Sequence, residues 1–314
     1  MNTNTKSQRT GTLTAKCLLA TALLFCANHA FSQSDTDDAE ALRVAAVEAL
    51  ITAPPERALP LARKVVEGNY SDDLKERALF VLSQIQDPEA QEIILAAVRN
   101  SDGALREEAI RMIGIGGDPA ALAGLRTFFN EGDEDVREAV LEAYLIAEDS
   151  EAVYQLALET TDPEVFEQVV ETLGAMGAHE KLRQLRDHVT LSDSEVFEAL
   201  IEAYTIAGDL ESIRTLAMDS SDPEQQEKAI EGLGIIGGEA ADAALLEIYR
   251  SATNEEVREA ALDGLMISGN DEILLELYRS AGNAAEKRRI LEYLVIMDSD
   301  AVWEVIDQAL EEDQ

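Results

Sequence analysis

The sequence predicts an all-α superhelix, an α-α solenoid of about nine stacked helix pairs. Three observations carry that prediction. A motif of about 31 residues recurs, each copy divides into two amphipathic stretches, and helix-capping residues stand at the joins. Self-similarity at such a period marks a repeat architecture, because one unit buries its apolar face only against its neighbours.

The copies are plain on alignment. Val136-Arg137-Glu138-Ala139-Val140-Leu141-Glu142-Ala143-Tyr144 matches Val196-Phe197-Glu198-Ala199-Leu200-Ile201-Glu202-Ala203-Tyr204, and Val257-Arg258-Glu259-Ala260-Ala261-Leu262-Asp263-Gly264-Leu265 is a third version. With the first residue as anchor, copies start at Leu42, Leu74, Leu105, Val136, Val165, Val196, Gln225, Val257 and Glu286. Their spacings are 32, 31, 31, 29, 31, 29, 32 and 29 residues.

Within a copy, the first helix is read from apolar residues at the anchor and four, five and eight positions on, as in Val136, Val140, Leu141 and Tyr144. That is the period of a one-sided helix. Twelve positions past the anchor stands Gly117, Gly177, Gly208, Gly237 or Gly269, suited to the left-handed turn that ends a helix. Asp87, Asp118, Asp149, Asp209 or Asn270 then supplies an N-cap for the second helix, and Pro88 and Pro119 take the first helical position. Ile273, Leu274, Leu277 and Tyr278 exemplify the apolar face of the second helix. At each join to the next copy we expect a cap from Asp72, Asp102, Asp133, Asp162, Asp193, Asp222, Asn254 or Asn283. Nine layers about 8–10 Å apart make a body on the order of 80 Å long.

The start of the chain differs in kind. Lys6, Arg9 and Lys16 precede the apolar run Cys17–Cys26, which is too short to span a bilayer. Small residues follow at Ala30 and Ser32, so residues 1–32 read as a secretory signal peptide cleaved after Ser32, with Ala30 as the alternative. Cys26 hints at a lipoprotein, but the bulky Phe25 departs from the lipobox, and we expect soluble export to a bacterial periplasm. Residues 33–40 are expected to form a flexible leader and 41–314 the solenoid.

The 314 residues hold 63 Asp and Glu against 25 Lys and Arg, a net charge of −38. Removing three cations with the signal leaves 22 − 63 = −41 and no cysteine. Disulfides, thiolate catalysis and cysteine metal sites are thereby excluded from the mature chain. The acid excess speaks against nucleic acid and against anionic membrane surfaces, and no later segment is apolar enough to insert in a membrane.

Asp135-Val136-Arg137-Glu138-Ala139 and the turn Gly114-Ile115-Gly116-Gly117-Asp118-Pro119-Ala120-Ala121-Leu122 resemble HEAT-like repeats of the phycobilisome-lyase type, over residues 40–313. The resemblance implies a helical solenoid; its members include lyases, hydroxylases, adaptors and transport scaffolds. Relatives of the deoxyhypusine hydroxylase kind hold a di-iron centre through several His-Glu pairs. Here His179-Glu180 is one such pair, too few for that centre. His188 aligns with Ala157, Ala217, Tyr249 and Tyr278, a place beside the core.

We find no Gly-x-Ser-x-Gly elbow and no Ser/His/Asp set that the repeat brings together. Capping accounts for the aspartates at the joins, and the dense loop of a dedicated calcium site is missing. We therefore expect no catalytic residue, no metal and no cofactor. Between Arg137 and Lys181 lies no basic residue, while Glu164, Glu167 and Glu171 add to an acidic middle; Lys181, Arg183 and Arg186 then form a small basic stripe. Tyr249-Arg250-Ser251-Ala252 and Tyr278-Arg279-Ser280-Ala281 are near copies, with Phe128 at the matching place earlier. Core packing is the simpler reading of these rings; exposed on the second helices, they would be binding hot spots. Tyr249, Arg250, Tyr278, Arg279, Phe128, Glu164, Glu167 and Glu171 are thus the candidate partner-binding residues. The expected function is an exported, non-catalytic protein-interaction scaffold for a partner with a basic surface. An enzyme subunit of the lyase or hydroxylase kind and a calcium-dependent surface protein are the alternatives.

Overall fold

A computed structural model describes residues 35–311, except 191, 192, 221 and 299. The expected signal peptide, and residues 33 and 34 of the leader, lie outside the described residues. Eighteen helices follow one another, with a short 3-10 turn at Ala49–Thr52 and no strand among the described residues. The first helices of the pairs are α1 (Asp35–Glu48), α3 (Asp72–Ser83), α5 (Gly103–Gly116), α7 (Glu134–Ile146), α9 (Pro163–Ala175), α11 (Ser194–Ala207), α13 (Pro223–Ile236), α15 (Glu255–Ser268) and α17 (Ala284–Ile296). The second helices are α2 (Pro55–Val66), α4 (Pro88–Asn100), α6 (Pro119–Glu131), α8 (Ser150–Glu159), α10 (His179–Arg186), α12 (Leu210–Asp219), α14 (Glu239–Ser251), α16 (Asp271–Ser280) and α18 (Asp300–Glu311). The expected superhelix of nine pairs is therefore the observed architecture. Residues 35–40, assigned above to the leader, are helical, and Glu40 accepts a 2.6 Å hydrogen bond from the Ser71 hydroxyl at the start of α3.

The core is one continuous aliphatic stack running from Val47 to Val305. Val136, Val140, Leu141 and Tyr144 are all buried, as the periodicity requires. All five expected caps within the pairs form: Asp87, Asp118, Asp149, Asp209 and Asn270 each accept a backbone N–H from the next turn. Six of the eight expected between pairs form as well, from Asp133, Asp162, Asp193, Asp222, Asn254 and Asn283. Asp72 and Asp102 do not. Ser71 precedes α3 in the N-cap place, and Gly103, at φ 52°, turns the start of α5 away from the Asp102 carboxylate.

Two further residues sit otherwise than expected. His188 is exposed, because α10 is only eight residues long and stops at Arg186; its Nδ1 lies 2.7 Å from the Gln184 carbonyl. Trp303, a large ring of the kind ordinarily drawn into a core, is exposed, since α18 buries Val302 and Val305 on its other side.

The first helices do not stack evenly. Nine positions past the anchor, α5, α9 and α13 carry Gly114, Gly174 and Gly234, and there each lies directly against the backbone of the next first helix. A Cβ on Gly174 would stand 2.6 Å from the Ala203 carbonyl oxygen; on Gly114 and Gly234 it would meet Ala143 and Gly264 as closely. At the same place α7, α11 and α15 carry Leu145, Thr205 and Met266, whose bulk holds the following helix off. Tight and loose crossings therefore alternate. The anchor spacing follows: 31, 31 and 32 residues across the tight crossings, 29 across each loose one.

Candidate functional site

The rings of the Tyr-Arg repeats are parts of the core. Tyr249 is 6% exposed, and its hydroxyl donates to Glu286 Oε1 at 2.8 Å. The Arg258 guanidinium lies 4.9 Å from the ring centroid and reaches the same carboxylate at 2.9 Å. The Tyr249 hydroxyl, assisted by the Gly282 N–H and Arg258, holds the Glu286 carboxyl below the usual range against the opposing effect of burial. Tyr278 is half-buried with Lys287 Nζ 5.4 Å from its ring, and Phe128 is half-buried against the core. Arg250 and Arg279 are exposed, and Arg250 pairs with Glu276 at 2.8 Å. Tyr249→Ala should therefore cost about 3 kcal/mol in urea unfolding, as large-to-small core changes do. An unchanged midpoint would return Tyr249 to the list of groove residues. Glu164, Glu167 and Glu171 are exposed on α9, several repeats away, so the structure does not join them to the tyrosines.

A Ser, His and Asp set does come together, contrary to the expectation from sequence. The repeat places His179 and Asp209 thirty residues apart, one layer from the next. Asp209 is buried; it accepts from Arg183 Nη2 at 2.7 Å and from the Ser212 hydroxyl at 2.9 Å, and His179 Nδ1 stands 3.5 Å away. The order is wrong for nucleophilic catalysis, because the serine donates to the aspartate and the imidazole faces the aspartate alone. Burial pushes the Asp209 carboxyl up, but the hydrogen bonds from Arg183 and Ser212 outweigh it and leave the pKa below 3.8. A depressed carboxylate stabilises the fold above its ordinary pKa, and that contribution fades as pH falls through the folded value. Asp209→Asn should thus cost about 2 kcal/mol at pH 7, with the gap to wild type closing below pH 3.8. A gap that does not narrow as pH falls below the ordinary aspartate range would overturn this assignment.

Ion pairs tie successive second helices together. Arg63–Glu89, Arg126–Glu159, Glu151–Lys181, Arg214–Glu247 and Arg250–Glu276 each join one second helix to the next. The first helices in the middle of the stack differ: α9 and α11 carry no Lys or Arg. Two and six positions past the anchor, their outer rows read Glu138 and Glu142, Glu167 and Glu171, Glu198 and Glu202, Glu227 and Glu231, Glu259 and Asp263. Glu142 pairs with Arg111 at 2.5 Å. Among the described residues, Glu138, Glu167, Glu171, Glu198, Glu202 and Glu231 make no ion pair or hydrogen bond.

At the loose crossing of α7 and α9 this face opens into a groove of about 340 Å³, lined by Leu141, Leu145, Thr172 and Ala175 between Glu138 and Glu171. Sequence reading placed the binding surface on the second helices; the set exposed in register lies on the first. No group of three or more His, Cys, Asp or Glu side chains among the described residues is arranged to hold a metal ion. No helix among them is long and apolar enough to cross a membrane.

Helix pairs stacked on one aliphatic core, with polar outer faces, define an α-solenoid. A family model described as HEAT repeats matches residues 65–145 and 209–266. The solenoid thus carries HEAT-like repeats over those residues. Among solved structures it is similar to the complex of CpcE and CpcF of phycocyanin lyase from Nostoc sp., at 21% identity over 78% of this chain and 95% of that one, with a TM-score of 0.35. It is similar also to human deoxyhypusine hydroxylase in complex with glycerol, at 17% identity over 73% of this chain and 98% of that one, with a TM-score of 0.32. No curated protein matches the chain.

Proposed function

We propose that the protein is an exported, non-catalytic scaffold that holds a protein partner with a basic surface in the bacterial periplasm. The observation that carries this reading is the unpaired carboxylate rows on the first helices, repeated in register through consecutive repeats. A surface of one chemistry at a fixed interval suits an extended partner that touches several repeats. Unpaired charges steer such a partner and set its orientation more than they add raw affinity. Export follows from the basic start, short apolar run and small residues of positions 1–32. After cleavage nothing in the sequence calls for membrane insertion.

The test is cross-linking of the tagged chain in intact cells, with neighbours identified by mass spectrometry at low and high salt. The expected result is a stoichiometric partner, released by salt and lost from a variant with Glu138, Glu167, Glu198 and Glu202 changed to Gln. Retention of the partner by that variant would reject the acidic face as the interface. A chain that fractionates with the cytoplasm would reject the proposed compartment.

A further inference from the structure

The outer face of the first helices carries a second periodic set, which the carboxylates do not explain. Ten positions past the anchor stand Ile115, Ile146, Ile206, Ile235, Ile267 and Ile296, exposed by 36, 38, 46, 60, 45 and 69%. One exposed isoleucine is unremarkable, but a series of them in register is a periodic apolar feature that calls for an explanation. Isoleucine is only a middling helix former, so helix stability does not call for it at solvent positions. The residue lies four positions after the second acidic row, one turn further along the same face. In the fifth repeat the stripe is broken by Ala175, and there the groove between α7 and α9 opens. Ala175 leaves a recess in that groove, and the neighbouring first helices α7 and α11 carry Ile146 and Ile206 at its register.

Packed helices lie about 8–10 Å apart, so the stripe recurs at about that interval on average, closer at the tight crossings and wider at the loose ones. Residues seven apart on an α-helix are separated by about 10.5 Å and lie on nearly the same side. We infer that the first-helix face takes a basic amphipathic helix laid across the stack. Its apolar residues, at seven-residue spacing, rest on the isoleucines. One large apolar side chain enters the recess at Ala175, and flanking Lys or Arg residues face Glu138, Glu171 and Glu202. Charge complementarity selects this occupant: the chain has no cation between Arg137 and Lys181, nor between Arg186 and Arg214, the two stretches that hold these carboxylates. The inference rests on the scaffold reading above and names the class of partner.

The probe is a synthetic peptide of about four heptads, with Leu at every seventh position and Lys on its flanks. A scrambled peptide of the same composition serves as control. Binding to the mature chain is read by fluorescence anisotropy at two salt concentrations. The patterned peptide should bind about tenfold tighter than the scrambled one. Ile206→Ser with Ile235→Ser should remove about that factor, and Ala175→Trp, which fills the recess, should weaken binding similarly. The Ile variants should melt with the wild type, since both side chains are exposed. Equal affinity for the two peptides, or Ile variants that bind like wild type, would overturn the amphipathic-helix assignment. The basic-partner reading would then still stand if binding falls with salt and with Glu138→Gln and Glu171→Gln. Binding indifferent to salt and to those changes would remove both.

Discussion

Gly174→Ala is expected to destabilise the protein by about 3 kcal/mol in urea unfolding, although alanine is the better helix former. The added methyl would stand 2.6 Å from the carbonyl oxygen of Ala203 and 2.9 Å from its Cα. Both are backbone atoms, so no rotamer change relieves the contact, and α9 and α11 must move apart. Their separation would loosen the side chains packed along the whole crossing. Gly124→Ala provides the opposite sign. Its methyl would touch only Leu95 Cδ2, at an ordinary 3.7 Å, within a helix that gains from alanine. A stabilisation of up to about 1 kcal/mol is expected there. If the two variants shifted in the same direction, the close approach of the first helices would be wrong.

The other large effect is expected at Tyr204. Its ring is fully buried, and its hydroxyl donates to the Leu182 carbonyl at 3.1 Å, joining α11 to the second helix of the preceding pair. Tyr144 makes the same bond to Leu122, also at 3.1 Å and across the same 22 residues. Tyr204→Ala should cost about 3–5 kcal/mol, from lost burial and the cavity left behind. Tyr204→Phe should cost about 1 kcal/mol, the net worth of the hydrogen bond. Burial pushes the phenol up to about 12, so neither effect should vary with pH across the physiological range. A phenylalanine variant as damaged as the alanine one would transfer the energy from packing to the bond.

Much of the fold was legible because it repeats. A periodic pattern seen in nine copies averages out local exceptions, and caps at the joins divide the helices without recourse to propensity. What escaped were features that depend on a single residue or on contact between layers. Asp72 is an acid of the kind that caps elsewhere, but it stands two positions before its anchor where the other caps stand three, and Ser71 takes the cap place. His179 and Asp209 meet because the first turn of α10 adjoins the N-cap of α12 in the next layer, a relation between layers that no single copy displays. The isoleucine stripe was present in the sequence as plainly as the core. It was passed over because the apolar positions were collected to define the buried face, and an apolar residue off that face has no place in a two-class pattern. The tyrosines were conspicuous for the opposite reason, since near-identical neighbours attract notice even when packing alone requires them.

The alternation of glycine with Leu145, Thr205 and Met266 has a consequence for how such a chain can change its length. The structural period is a pair of repeats, about 60 residues from one glycine-bearing copy to the next. Loss or duplication of one repeat would bring two bulky copies, or two glycine-bearing copies, into succession. The new crossing would then have either a void or a collision. Loss or duplication of two repeats keeps every crossing with its proper partner. Viable ancestors and engineered variants of this molecule should therefore differ by even numbers of repeats, and a deletion of residues 105–164 should fold where a deletion of 105–135 does not.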